Sequence, residues 1–152
     1  MPSVWVDSGA SIWEDLIALI KQKGVSLHSK NSPTTETWLG AGAGRTGLTY
    51  VYLVWKEGQV GIGLDINTGN RDKNKQIFDA LYEHREQIEI EFGQPLTWDR
   101  GDDRVTSQLR YFINSGGWKN TENRQEIQLQ MIDAMQRFAK ALDKHVKALP
   151  KI

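Results

Sequence analysis

The sequence predicts an α+β fold, a two-layer sandwich in which helices cover a mostly antiparallel sheet of about five strands. Three observations predict it: residues 60–66 alternate apolar and small side chains, helical periodicity recurs in three segments, and the connections between strands are short. Short connections favour antiparallel pairing, and the helices then pack together over one face. The predicted order is α-β-β-β-α-β-β-α, in a single domain over residues 1–152.

Three segments have apolar residues at helical spacing. The first, 11–23, begins at Ser11, which can cap a helix, and ends at Gly24. The second, 72–92, is closed by Gly93 and Pro95, and the third is a long helix over 122–149. The predicted inward faces are Ile77, Leu81, His84, Ile88 and Phe92 in the second helix, and Ile127, Met131, Ala134, Phe138 and Ala141, with Met135 and Leu142 alongside, in the third.

The strand predictions rest on β-branched and aromatic runs between turn residues. They cover 35–39, 48–58, 60–66, 96–98 and 105–113, with a charged turn between the last two. In the last strand, Phe112 shares the polar face with Gln108 and Arg110, so it is the aromatic residue least readily explained as core.

Composition predicts a soluble cytoplasmic protein without disulfides. The 152 residues include 19 basic and 19 acidic side chains and no cysteine. A balanced charge is unlike that of a dedicated duplex-DNA binder, although a local basic face stays open. No segment resembles a secretory signal or a membrane-spanning helix, so no membrane partner is expected.

Residues 42–47, GAGRTG, match the glycine pattern of nucleotide-binding loops. Such loops need a following helix whose N-terminus binds the phosphates, whereas the residues after Gly47 are typical of a strand. The sequence therefore favours a glycine-rich turn between two strands, with Arg45 at its tip as a candidate anion ligand.

Catalytic and metal-binding motifs are absent. No carboxylate precedes a lysine at the spacing of restriction-type nucleases, and the three histidines lack zinc-ligand spacing. Asp65, Asp99 and Glu89 are the only plausible catalytic carboxylates. We expect no catalytic residue, metal or cofactor, and the pattern favours a binding module over an enzyme.

One cluster is typical of nucleic-acid binding. Basic residues in the C-terminal third alternate with aromatic ones that could stack on bases. Together with the loop arginine, the candidate binding residues are Arg45, Arg100, Arg104, Arg110, Phe112 and Trp118.

Residues 88–107, IEIEFGQPLTWDRGDDRVTS, resemble the domain of unknown function 4268 family. The matching residues are Ile88, Glu89, Phe92, Gly93, Pro95, Leu96, Trp98 and Ser107. Members of that family often follow restriction-endonuclease-like modules, so the resemblance implies an accessory or recognition role near nucleic acid, a nuclease partner or a defence system. This chain resembles a stand-alone copy and departs from the family at Gln108, where arginine is frequent.

Three hypotheses stay open at this stage. The first is a non-catalytic module that binds nucleic acid or a nuclease partner. The second is a homo-oligomeric interaction domain, since the long last helix could pack across a dimer. The third is an unrecognised hydrolase or nuclease.

Overall fold

The structure is a computed structural model that describes residues 11–55, 58–113 and 123–151. It confirms the α+β class. The elements are α1 (Ser11–Gln22), β1 (Trp38–Gly42), β2 (Leu48–Val54), β3 (Val60–Ile66), α2 (Arg71–Tyr82), α3 (Arg85–Phe92), β4 (Thr97–Asp99), β5 (Ser107–Ile113) and α4 (Arg124–Lys147). None of the described helices is long and apolar enough to cross a membrane.

The five strands form one antiparallel sheet in the order β1-β2-β3-β5-β4. β3 lies at its centre, as the regular alternation of residues 60–66 indicates, and all its apolar side chains are fully buried. The β1–β2 connection is the predicted glycine-rich turn, in which Gly44 and Gly47 have positive φ.

All four described helices contribute side chains to one hydrophobic core, which lies against a single face of the sheet. We call this the helix-covered face. Its members alternate along the strands, as in Tyr50 and Tyr52 of β2 and Ile62 and Leu64 of β3, and they meet Phe138 and the rest of the predicted stripe of α4. The inward face predicted for the last helix is confirmed.

The prediction of one continuous helix over 72–92 is wrong, since the segment forms two helices. α2 ends at Tyr82 and α3 begins at Arg85, with His84 between them in a non-helical conformation. His84 is exposed and stacks on His145 with ring centroids 4.7 Å apart, instead of entering the core as its spacing suggested. The described residues therefore contain four helices, where three were predicted for the whole chain.

Candidate functional site

The opposite face of the sheet, which we call the open face, is covered by none of the described helices. The strand register arranges its side chains in three rows that run across the sheet, about 6.8 Å apart. The aromatic row is Trp38, Leu53, Gly61 and Phe112; the glycine row is Gly40, Val51, Gly63, Arg110 and Thr97; the polar row is Gly42, Thr49, Asp65, Gln108 and Asp99.

The aromatic row presents large rings to solvent. Trp38 and Phe112 are each 48% exposed, whereas the six aromatic side chains of the core are at most 3% exposed. Trp55, which directly follows β2, lies over Gly61, with its ring 3.3 Å from the position that a Cβ of Gly61 would take. Its ring centroid is 5.5 Å from that of Phe112. This end of the open face therefore carries the neighbouring rings of Trp55 and Phe112, with the exposed indole of Trp38 on the other side of Leu53.

Glycines allow planar groups to lie close against the sheet. A Cβ at Gly63 would lie 2.3 Å from the carbonyl oxygen of Leu109 and 2.4 Å from Nη1 of Arg110. A Cβ at Gly40 would lie 3.1 Å from the ring of Trp38. The missing side chains thus make room for the Arg110 guanidinium and the Trp38 indole.

The two carboxylates of the polar row are each paired with a neighbouring arginine. Nη2 of Arg110 donates to Oδ1 of Asp65 at 2.6 Å and to Oε1 of Gln108 at 3.0 Å, and Nη1 donates to the carbonyl of Leu109. At the β4 edge, Arg104 forms a salt bridge of 2.9 Å with Asp99. Because each of these arginines is matched by a carboxylate, the row has little net charge.

The predicted binding arginines do not converge on one surface. The Arg45 guanidinium donates to the carbonyl oxygens of Val146, Leu149 and Pro150 at 3.3, 2.7 and 2.8 Å. These carbonyls lie at the C-terminal end of α4, where a cation complements the helix dipole. The glycine-rich turn therefore presents a helix-capping arginine.

Arg100 lies on the helix side of the sheet edge, where it binds the carboxylates of Asp79 and Asp102. Arg104, Arg110 and Phe112 are the predicted residues that the structure brings to the open face or its edge. Trp118 lies outside the described residues.

Sequence reasoning missed Trp38 and Trp55. Their signal was the same period of two that predicted the strands: both fall out of phase with the residues of β1 and β2 that face the core. The sequence does not show that all described helices pack on the other face of the sheet and leave this one uncovered.

The loop between β4 and β5 is fixed by a buried lysine. Lys75 is only 4% exposed, and its Nζ lies within 2.9 Å of the carbonyls of Arg100, Gly101 and Thr106 and of Oγ of Ser107. Burial and, to a smaller extent, the positive charge of Arg71 lower the pKa of Lys75. These contacts fix the position of the start of β5 relative to α2, and with it the position of the polar row.

Residues that carry the family resemblance have structural roles here. Oε2 of Glu89 accepts hydrogen bonds from the backbone N–H of Leu96 and from Nε1 of Trp98, at 2.8 and 3.1 Å. Gly93 ends α3 with a positive φ of 99°. The motif thus builds the corner between α3 and β4.

The three candidate catalytic carboxylates each bind a neighbouring group and do not form a cluster. Asp65 pairs with Arg110, Asp99 with Arg104, and Glu89 holds the corner just described. Within the described residues, no group of three or more histidine or acidic side chains is placed to hold a metal ion.

A sequence model of the family described as Domain of unknown function (DUF4268) matches residues 10–146, nearly the whole chain. The chain belongs to this family. No curated protein and no solved structure matches it. DUF4268 membership agrees with the resemblance seen around the Pro-Leu-x-Trp segment and extends it toward the N-terminus.

Proposed function

We propose that this DUF4268 domain binds single-stranded nucleic acid by stacking bases on the aromatic row of the open face. The observation that carries the proposal is the exposure of Trp38 and Phe112 beside Trp55 on a sheet face without a described helix. Exposed aromatic side chains on an antiparallel sheet stack with unpaired bases in several RNA-binding modules.

The pairing of charges on this face determines how binding depends on salt. Proteins that neutralise many phosphates lose affinity steeply as salt is raised. Here Arg104 and Arg110 are already paired with Asp99 and Asp65, so they have little charge left to offer phosphates. We expect stacking to dominate, with a shallow dependence of affinity on salt.

The shape of the face favours single strands over duplexes. Bases in a duplex are stacked on each other and expose only their edges, whereas unpaired bases can lie flat on a ring. At the centre of the open face, the Trp55 ring lies close over Gly61 and the Arg110 guanidinium close over Gly63, so planar groups lie against the sheet there.

The test is fluorescence anisotropy with a labelled mixed-sequence single strand of about 12 nucleotides, within the usual site sizes. Phe112→Ala and Trp38→Ala should each weaken binding by about 1–3 kcal/mol, the usual contribution of one stacked base. Phe112→Leu keeps apolar area without the ring and should weaken binding nearly as much.

Ile90→Ala is the matched control, because Ile90 is an 81% exposed apolar residue on α3, in the other layer. Its affinity should equal that of the wild type. Equal affinity of Phe112→Ala and the wild type, or equal binding of duplex and single strand, would contradict the proposal.

Self-association through the same face is the second candidate. An exposed aromatic patch with balanced charge also fits a protein interface. Sedimentation velocity separates the two: a dimer that Phe112→Ala or Trp38→Ala dissociates, with no nucleic-acid binding, would favour this alternative. A role beside a nuclease or in defence rests on the family resemblance alone.

A further inference from the structure

Asp65 combines an exposed carboxylate with a fixed orientation at the centre of the polar row. Its side chain is 41% exposed, whereas that of its partner Arg110 is 10% exposed. Oδ1 accepts the 2.6 Å hydrogen bond from Arg110, and Oδ2 makes no hydrogen bond to the described part of the chain. One oxygen thus stays available to a ligand on the open face.

Arg110 keeps this oxygen in place. The guanidinium lies over Gly63 and is held by the Leu109 carbonyl and by Gln108 as well as by Asp65. The pairing also offsets the negative charge of the carboxylate, so a phosphate backbone can approach it with less repulsion than a lone aspartate would cause.

The chemistry of the free oxygen discriminates among bases. An ionised carboxylate only accepts hydrogen bonds. The Watson–Crick edge of guanine offers two adjacent donors, N1–H and the N2 amino group. Adenine and cytosine place a ring-nitrogen lone pair beside their amino group, and thymine or uracil flanks its single N–H with two carbonyls. Guanine is therefore the base that a fixed carboxylate accommodates best.

We infer that Asp65 selects guanine for the nucleotide next to the base stacked on Phe112. The row between them holds Gly63 with the Arg110 guanidinium close over it, so a base placed between Phe112 and Asp65 lies above that guanidinium. The inference rests on the proposed function and adds a specificity to it: stacking supplies affinity, and Asp65 supplies the preference.

The test compares two labelled probes of about 12 nucleotides, oligothymidylate and the same strand with isolated guanines. The wild type should bind the guanine-containing probe at least about fivefold more tightly, the lower end for a good base contact. Asp65→Asn should bring this ratio close to one, because Arg110 retains the oxygen and the amide N–H₂ then faces the guanine donors. The ratio is the readout, since the substitution also removes the charge that offsets Arg110 and so changes the affinity for both probes. Asp99→Asn, in the same row, should preserve the ratio.

Replacing guanine by inosine, which lacks the N2 amino group, tests the contact on the wild-type protein and decides the matter should Asp65→Asn not fold. Inosine binding as tight as guanine binding, or equal binding of the two probes, overturns the role of Asp65 and leaves the proposed function standing. Failure of the protein to bind either probe overturns both.

Discussion

The two faces of the sheet are built from the same strands but from different side chains. On the helix-covered face, Tyr50, Ile62 and Leu64 are at most 2% exposed and pack against the helices. On the open face, the same strands β2 and β3 carry Thr49, Gly61 and Gly63, with Phe112 exposed on β5. One face stabilises the fold by burying apolar area, and the other leaves its rings in contact with water.

This difference indicates which aromatic residues the fold requires. Burial of a large side chain stabilises a protein in proportion to the area removed from water, so a ring that stays half exposed contributes far less. Large apolar side chains kept at the surface in a contiguous group are typical of binding sites. Substitutions confined to one face at a time test this difference.

The largest expected effect is a difference in the free energy of unfolding between two phenylalanine variants, one on each side of the sheet. Phe138 is fully buried and contacts the rings of Tyr50 and Phe92, so Phe138→Ala should lower the free energy of unfolding by about 3–5 kcal/mol. Phe112 has Trp55 as its ring partner, and Phe112→Ala should cost less than about 1 kcal/mol. Urea unfolding measures both. Similar losses for the two variants would mean that the open face also holds the fold together.

The difference in burial between these two phenylalanines can largely be predicted from the sequence. The period of two in residues 60–66 predicted the central strand, and helical spacing predicted the buried stripe of α4 around Met131 and Phe138. Both succeed because the pattern records burial at each position directly.

The break between α2 and α3 and the contacts between residues far apart in the chain could not be predicted from the sequence. His84 continues an apolar spacing across the break between α2 and α3, and that spacing does not reveal the interruption. Likewise, the cluster of arginines suggested a basic surface, but the partners of Arg45 and Arg110 are 101 and 45 residues away in the chain. Only the folded arrangement of the sheet and α4 determines those pairings.

A smaller effect is expected within the open face itself. Gly63→Ala would place a Cβ 2.3 Å from the Leu109 carbonyl, so β3 and β5 or the Arg110 side chain must shift, at a cost of about 1–3 kcal/mol. Gly42→Ala, in the polar row of the same face, meets nothing within 4 Å and has no positive φ. It should be neutral or stabilise the strand by up to about 1 kcal/mol. Thermal unfolding compares the two, and equal stability would show that close packing at Gly63 is unimportant.

The smallest expected effect is the pH dependence of stability that arises from His28, on the helix-covered side of the sheet. His28 is 3% exposed; its Nε2 donates to the carbonyl of Tyr50, and its Nδ1 has no hydrogen-bond partner within the part of the chain that the structure describes. Burial lowers the pKa of His28 below the ordinary value of 6.5. The unfolded chain therefore takes up a proton near pH 6.5 that the folded chain accepts only at lower pH, so the free energy of unfolding falls as the pH drops below 6.5.

His28→Asn isolates this contribution, because asparagine tolerates the positive φ of 68° at this position. The variant will be less stable than the wild type at pH 7.5, since it loses the hydrogen bond to Tyr50, but the difference between the two proteins should narrow at pH 5.5. His145→Gln is the comparison, because burial, followed by the charge of His84, also lowers the pKa of His145, at a less enclosed site. Urea midpoints at the two pH values measure the effect. A difference in stability between the wild type and His28→Asn that stays constant with pH would mean that His28 takes up its proton as readily in the folded chain as in the unfolded chain.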